Sequence, residues 1–184
     1  MSASVPDFER VSQSLIYQGR VFAMFQEEYR APTGEIFDRQ IVRHNGAVAV
    51  VPLHEDGTVT LIRQYRPSLD RRILEVPAGL LDKPGESPVE AAHRELREEA
   101  GFTAHSMREL CSYVGVPGLA DENVTVYLAQ GLVFVGTSAD GPEEQDITFE
   151  TIHLDDAPGM IASGAIIDGK TSLGLLMAPF LLRS

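Results

Sequence analysis

The chain has 184 residues, 43% of them hydrophobic, and carries 27 Asp and Glu against 15 Lys and Arg, for a formal net charge of −12. That length supports one sizeable core with at most a small appended lobe. The charge excludes a general nucleic-acid surface, which needs a basic footprint, but allows an anionic small molecule where metal ions or a few arginines offset it locally.

Met1 to Arg10 is polar and lacks the apolar centre of a signal peptide. Val11 to Tyr29 reads as two strands broken at Gln18-Gly19, and Ala31 to Gly34 as a turn leading to a third strand from Ile36 to Val42. These segments suit a small antiparallel sheet. Val48 to Leu53 is a dense apolar strand, His54 to Gly57 a hairpin turn, and Thr58 to Tyr65 the return strand. A loop from Pro67 to Arg72 precedes a short strand at Ile73 to Val76. Ser87-Pro88-Val89-Glu90 is a helix start, with a capping Ser, Pro at the first helical position and a capping-box Glu; Gly101 is the natural stop. Strands follow near Arg108 to Val114, Val124 to Leu132 and Ile147 to His153, then a helix over Asp155 to Ser163. Lys170 to Leu182 reads as a closing helix that packs its Leu, Met and Phe on the core. The apolar run there, Leu173 to Leu182, is too short for a bilayer and contains Pro179. Cys111, the single cysteine, excludes an intrachain disulfide and reads as a packed residue, not a nucleophile. A cytoplasmic protein with no membrane and no nucleic-acid partner is expected.

The helix between Glu86 and Gly101 carries the chemistry. Successive helical residues turn about 100°, so Glu95 and Glu99 are neighbours one turn apart and Glu98 shares their broad face. Like charges at that spacing repel by about 0.2–0.5 kcal/mol per pair, and anions near a helix C-terminus oppose the macrodipole. A hard divalent cation removes the conflict, because Mg²⁺ takes oxygen ligands and commonly binds a few carboxylates plus substrate phosphate. The plain alternative is a solvated helix with ion pairs such as Arg94–Glu98.

The full spacing decides against that alternative. Glu86, Arg94, Glu95, Leu96, Glu98, Glu99, Gly101 and Phe102 resemble the Nudix box, G-x5-E-x7-R-E-U-x-E-E-x-G-U, where U is bulky and apolar. Gly79 and Glu86 are separated by six residues where the box has five, so the loop is expected to differ while the helix register stays intact. The resemblance implies the Nudix fold, an α/β/α sandwich with a mixed sheet, here residues 43–184; the strands of residues 1–42 resemble the additional N-terminal antiparallel sheet with which ADP-ribose pyrophosphatases of this family build an intertwined homodimer.

Glu75-Val76-Pro77-Ala78-Gly79, Pro117, Leu119-Ala120-Asp121-Glu122 and Ile166 to Thr171 resemble the ADP-ribose pyrophosphatase subgroup. That implies hydrolysis of ADP-ribose to AMP and ribose 5-phosphate with Mg²⁺, or alternatively Mn²⁺. It implies metal ligands at Glu95, Glu98, Glu99 and the Ala78 carbonyl, with Glu98 also counted among the catalytic groups. The catalytic base would be Glu143 or Glu144, on the acidic loop before the late strand. Candidate substrate contacts are Arg66 first, because it matches an arginine that reaches substrate phosphate, then Arg63, Arg39, Glu75, Pro117 and Glu122. Arg63 and Arg66 should face opposite ways on a regular strand. Asp168 and Lys170 read as a solvated turn. Two alternatives stay open: another nucleoside diphosphate sugar or dinucleotide as substrate, and a non-catalytic sensor that binds ADP-ribose.

Overall fold

Alternation of β-branched or aromatic residues with polar ones places the first three strands as expected. They are β1 (Glu9–Gln18), β2 (Phe22–Arg30) and β3 (Ile36–His44), antiparallel and ordered β1-β2-β3. The structure is a computed structural model and describes residues 7–138 and 145–183. It divides into two compact units, one of residues up to Gly46 with Val114–Asn123, the other of Ala47–Tyr113 with residues from Val124 on. In the first unit the Val114–Asn123 segment joins β3: Val42 donates to the Leu119 carbonyl at 2.9 Å and accepts from Asp121 at 3.2 Å. Glu27 of β2 is fully buried there and takes the Arg43 guanidinium at 2.6 Å.

The second unit begins with β4 (Ala47–Pro52) and β5 (Thr58–Arg66), then β6 (Arg71–Glu75), β7 (Ala78–Leu80) and α1 (Pro88–Ala100). After them come β8 (Phe102–Val114), β9 (Asn123–Phe134), β10 (Thr148–His153), α2 (Ala157–Ala162) and α3 (Gly169–Leu182). One sheet has the order β7-β4-β9-β8, and β4 runs parallel to β9 but antiparallel to β7. The other has the order β10-β5-β6 and is antiparallel.

The period of two along β4 builds the layers. Val48 and Val50 point to α1 and pack with Ala91, Ala92, Leu96 and Ala100. Ala49 and Val51 point the other way, into a cluster with Leu175 and Ala178 of α3 and with Leu61, Leu74 and Ile152 of the second sheet. Strand β9 repeats the pattern, with Tyr127 and Ala129 toward α1 and Val126 and Leu128 opposite. Helix, mixed sheet and helix thus form the expected α/β/α sandwich. Each fully buried Val or Leu contributes roughly 1.5–3 kcal/mol by leaving water.

Two expectations are corrected. The turn at His54 to Gly57 is present, but β5 does not return beside β4; the two share only the bridge Leu53–Val59. Both edges of β4 are taken by β7 and β9, so β5 seeds the second sheet. The closing helix does not bury its Met and Phe: Phe180 is 67% exposed, and the packed face is Thr171, Gly174, Leu175 and Ala178. Small residues are required because α3 sits hard on the sheet; a Cβ at Gly174 would lie 2.8 Å from Val51 Cγ2 and 3.0 Å from Val126 Cγ1. Strand β7, three residues long, is too short to show a period. No described helix is long and apolar enough to cross a membrane.

Gly174→Val is therefore expected to lower the unfolding free energy by about 2 kcal/mol through overpacking. Urea denaturation reads it; a midpoint equal to that of the unsubstituted chain would refute the tight contact.

Candidate active site

Helix α1 starts where Pro88 occupies the first turn and the Glu90 carboxylate accepts the Ser87 N–H at 2.8 Å. It stops at Gly101, whose φ of 73° turns the chain into the left-handed region. Its buried stripe is Ala91, Ala92, Glu95, Leu96, Glu99 and Ala100. Two carboxylates one turn apart thus stand in a stripe otherwise made of alanine and leucine, with Glu95 6% and Glu99 4% exposed.

Strand β7 lies directly against them. A Cβ at Gly79 would fall 1.9 Å from Glu95 Oε1, so only glycine admits that carboxylate here. The Ala78 N–H donates to Glu99 Oε2 at 2.8 Å. Glu98 stands beside this pair with its side chain 16% exposed. Of the predicted ligands, Glu95 and Glu99 thus meet β7 at Gly79 and Ala78, while Glu98 is joined to Glu95 through Arg94.

Arg94 ties the carboxylates together. Its Nε and Nη2 meet the two Glu86 oxygens at 2.8 and 2.9 Å, and Nη1 reaches Glu98 at 3.2 Å and Glu95. Nη2 also donates to the Leu80 carbonyl at 3.3 Å. The extra residue between Gly79 and Glu86 is accommodated in the intervening loop, where Glu86 N–H donates to the Lys83 carbonyl at 3.2 Å. Glu86 still meets Arg94, so the helix register is intact. The Arg94 hydrogen bond holds the Glu86 carboxyl below the usual carboxylate range, and the same bond raises Arg94.

The donors around Ala78 are hard oxygens, which fit Mg²⁺ or Mn²⁺ and suit no soft metal. Among the described residues no three acidic, His or Cys side chains form a ready cage.

A second charged cluster adjoins the first. Glu75, at the end of β6 and 1% exposed, receives Arg66 through Nε at 2.6 Å and Nη2 at 2.7 Å. Lys170 Nζ reaches the same carboxylate and lies 3.0 Å from Asp168 Oδ1. Asp168 caps α3 by accepting the Thr171 N–H at 2.9 Å, and Thr171 Oγ1 accepts the Val76 N–H at 2.9 Å. Burial alone would raise the Glu75 carboxyl; hydrogen bonds from Arg66 and the charge of Lys170 outweigh it and lower it. Arg66 is raised by the Glu75 hydrogen bond, with Glu99 close enough to add to it.

A sequence profile described as NUDIX domain matches residues 43–170. The chain belongs to the NUDIX family. This Nudix chain is 39% identical to an ADP-ribose pyrophosphatase of Mycobacterium tuberculosis, over 92% of its own length and 82% of the relative's. It is 34% identical to an ADP-ribose pyrophosphatase of Bacillus subtilis, over 90% and 89%. A crystal structure of an ADP compounds hydrolase shares its fold, with a TM-score of 0.87, 24% identity and coverage of 99% and 97%.

The other predicted residues of the Nudix chain make contacts of their own. Arg63 faces away from Arg66, as strand alternation requires, and pairs with Glu150 at 2.7 Å. Arg39 belongs to the first unit, where it lies over the Phe37 ring at 4.8 Å. Pro117 and Glu122 are also in that unit, Pro117 in the turn that Leu119 closes on the Val116 carbonyl and Glu122 3.7 Å from His44. Glu143 and Glu144 lie outside the described residues. Cys111 is partly buried against the core, and burial, then Glu109, pushes its thiol up, as suits a packed residue. The expectation for Asp168 and Lys170 is corrected: they are not a solvated turn but members of the Glu75 cluster. The available signal was Asp168-Gly169-Lys170-Thr171 itself, an N-cap directly before an apolar helix.

Because the Glu86 carboxyl is depressed, its contribution to stability is present above the ordinary glutamate range and lost as pH falls through the folded value. In metal-free buffer, Arg94→Met should cost about 3 kcal/mol at pH 7 by leaving three carboxylates without their shared cation. The gap to the unsubstituted chain should narrow as the buffer is taken toward pH 4. Urea titrations at both pH values check this; a pH-independent gap would contradict it.

Proposed function

We propose that the chain adds water across the diphosphate of ADP-ribose, releasing AMP and ribose 5-phosphate. The observation that carries the reading is the buried pair Glu95 and Glu99 held against Ala78 and Gly79, with the arginine of Glu75 alongside. The names of the two bacterial relatives support ADP-ribose in particular.

Glu95, Glu98, Glu99 and the Ala78 carbonyl are the residues that would hold Mg²⁺ or Mn²⁺, which supplies charge neutralisation on the phosphates and a more acidic water. Arg66 presents to a phosphate oxygen the Nη1 edge that Glu75 leaves over, and offsets charge that grows as the bridging bond breaks. Arg94 keeps Glu95 and Glu98 at fixed positions while phosphate charge arrives beside them. Glu143 or Glu144 is the proposed base, taking the proton of the attacking water. The water oxygen becomes a phosphate oxygen of one product, and the bridging oxygen leaves with the other. Arg39, Pro117 and Glu122 are candidate contacts to the remainder of the substrate, and Arg63 ranks below Arg66 because Glu150 engages it.

The proposal includes a homodimer. Every residue of β1 is exposed, on the edge of its sheet, with Leu15, Ile16 and Tyr17 each about half exposed. An edge strand that apolar invites aggregation unless something covers it, and a second copy is the proposed cover. Leu15→Arg with Ile16→Arg should shift the mass in sedimentation equilibrium from dimer to monomer; a monomeric unsubstituted chain would remove the dimer.

The central test is AMP release from ADP-ribose, sugar nucleotides and dinucleotides with Mg²⁺ or Mn²⁺. ADP-ribose should be turned over fastest, and chelation should abolish turnover reversibly. Glu95→Gln should reduce kcat about 10²-fold or more with unchanged far-UV circular dichroism. Preference for another nucleotide would overturn the substrate, near-normal Glu95→Gln activity the ligand assignment, and tight binding without hydrolysis would point to a sensor.

A further inference from the structure

The Glu75 cluster contains more charge than one phosphate-binding arginine needs. Glu75 already has a two-bonded partner in Arg66, with Nε at 2.6 Å and Nη2 at 2.7 Å. Yet Lys170 also donates to Glu75 Oε2, the oxygen that Arg66 Nη2 uses. The Lys170 side chain is only 14% exposed, and Asp168, 3.0 Å away, balances its charge. Two cations and two carboxylates are thus packed where β5, β6 and the start of α3 meet. Buried ion pairs are often no more stabilising than apolar residues of the same volume, so stability alone does not account for these three.

What the arrangement does provide is orientation. A guanidinium is planar, and two hydrogen bonds to one carboxylate fix both its position and its plane. That holds only if the carboxylate cannot rotate. Lys170 supplies the missing constraint by gripping Oε2 from the side of α3, whose start is itself pinned by the Asp168 cap and by Thr171 Oγ1 on the Val76 N–H. Among the described residues Arg66 Nη1 makes no hydrogen bond. It is the edge left to meet a ligand.

We infer that Lys170 is a positioning residue: through Glu75 it locks the plane of Arg66 so that Nη1 addresses a phosphate of the bound diphosphate. This rests on the proposed role of Arg66 in phosphate binding. Lys170 itself touches no reacting atom. Its removal should act through Arg66 and vanish when Arg66 is gone.

The test is a double-substitution cycle on the full chain with two readouts, the kcat/KM for AMP release from ADP-ribose and the Kd for inorganic pyrophosphate in Mg²⁺ by calorimetry. Lys170→Met should weaken pyrophosphate binding about 10-fold and lower kcat/KM by at least as much, the size of one charge-assisted hydrogen bond. Lys170→Arg should restore both to within about 3-fold, since it keeps a donor on Glu75. In an Arg66→Ala background, Lys170→Met should have under about 3-fold further effect. Thermal melts establish that each variant folds, and Lys170→Gln replaces the Met variant if that one does not. Losses that multiply independently, or failure of Lys170→Arg to rescue, overturn the inference. If ADP-ribose is not cleaved but the pyrophosphate cycle is coupled, the substrate falls and the role of Lys170 stands. If the unsubstituted chain does not bind pyrophosphate, Arg66 as a phosphate arm and Lys170 with it are both refuted.

Discussion

Glu95 and Glu99 stand one helical turn apart in the buried stripe of α1, and the neighbourhood is organised around offsetting that charge. Removing two carboxylates from water beside a sheet core is costly unless hydrogen bonds and cations meet them. The fold answers with an N–H from Ala78, a strand reduced to glycine at residue 79, and an arginine one position before Glu95. None of these would be needed on a helix whose stripe was alanine and leucine throughout.

The same device appears twice. Arg94 gathers Glu86, Glu95 and Glu98, while Arg66 and Lys170 meet Glu75 and Asp168. The residues from Val76 to Ala78 run between the two clusters, bonded to Thr171 of α3 at one end and to Glu99 of α1 at the other. The second cluster is balanced, two cations against two carboxylates, whereas the first sets one arginine against three, so the surplus negative charge lies on the side of α1.

Much of this was legible in residue order. The box on α1 and its caps are local patterns, so spacing alone predicted the helix, its register and the grouping of its carboxylates. The antiparallel sheet of β1 to β3 was legible for the same reason, since each strand pairs with its chain neighbour. What escaped depended on distant pairing. The turn at His54 to Gly57 looks like a hairpin locally, and only the claims of β7 and β9 on the edges of β4 send β5 elsewhere. Asp168 and Lys170 looked like a solvated turn because Glu75, the group that draws them in, is far away in sequence. The exposure of Phe180 follows from a close approach at Gly174 that no local period reveals.

Thr171 bonds Val76 across 95 positions of chain, and Lys170 reaches Glu75 across the same separation. Contacts of that range close a large loop and must offset its chain entropy. The strand that faces the carboxylates therefore depends for part of its anchorage on a helix distant in sequence. Helix α3 thus serves as a latch, holding through Thr171 and Lys170 the stretch of chain that leads from Glu75 to the carboxylates of α1.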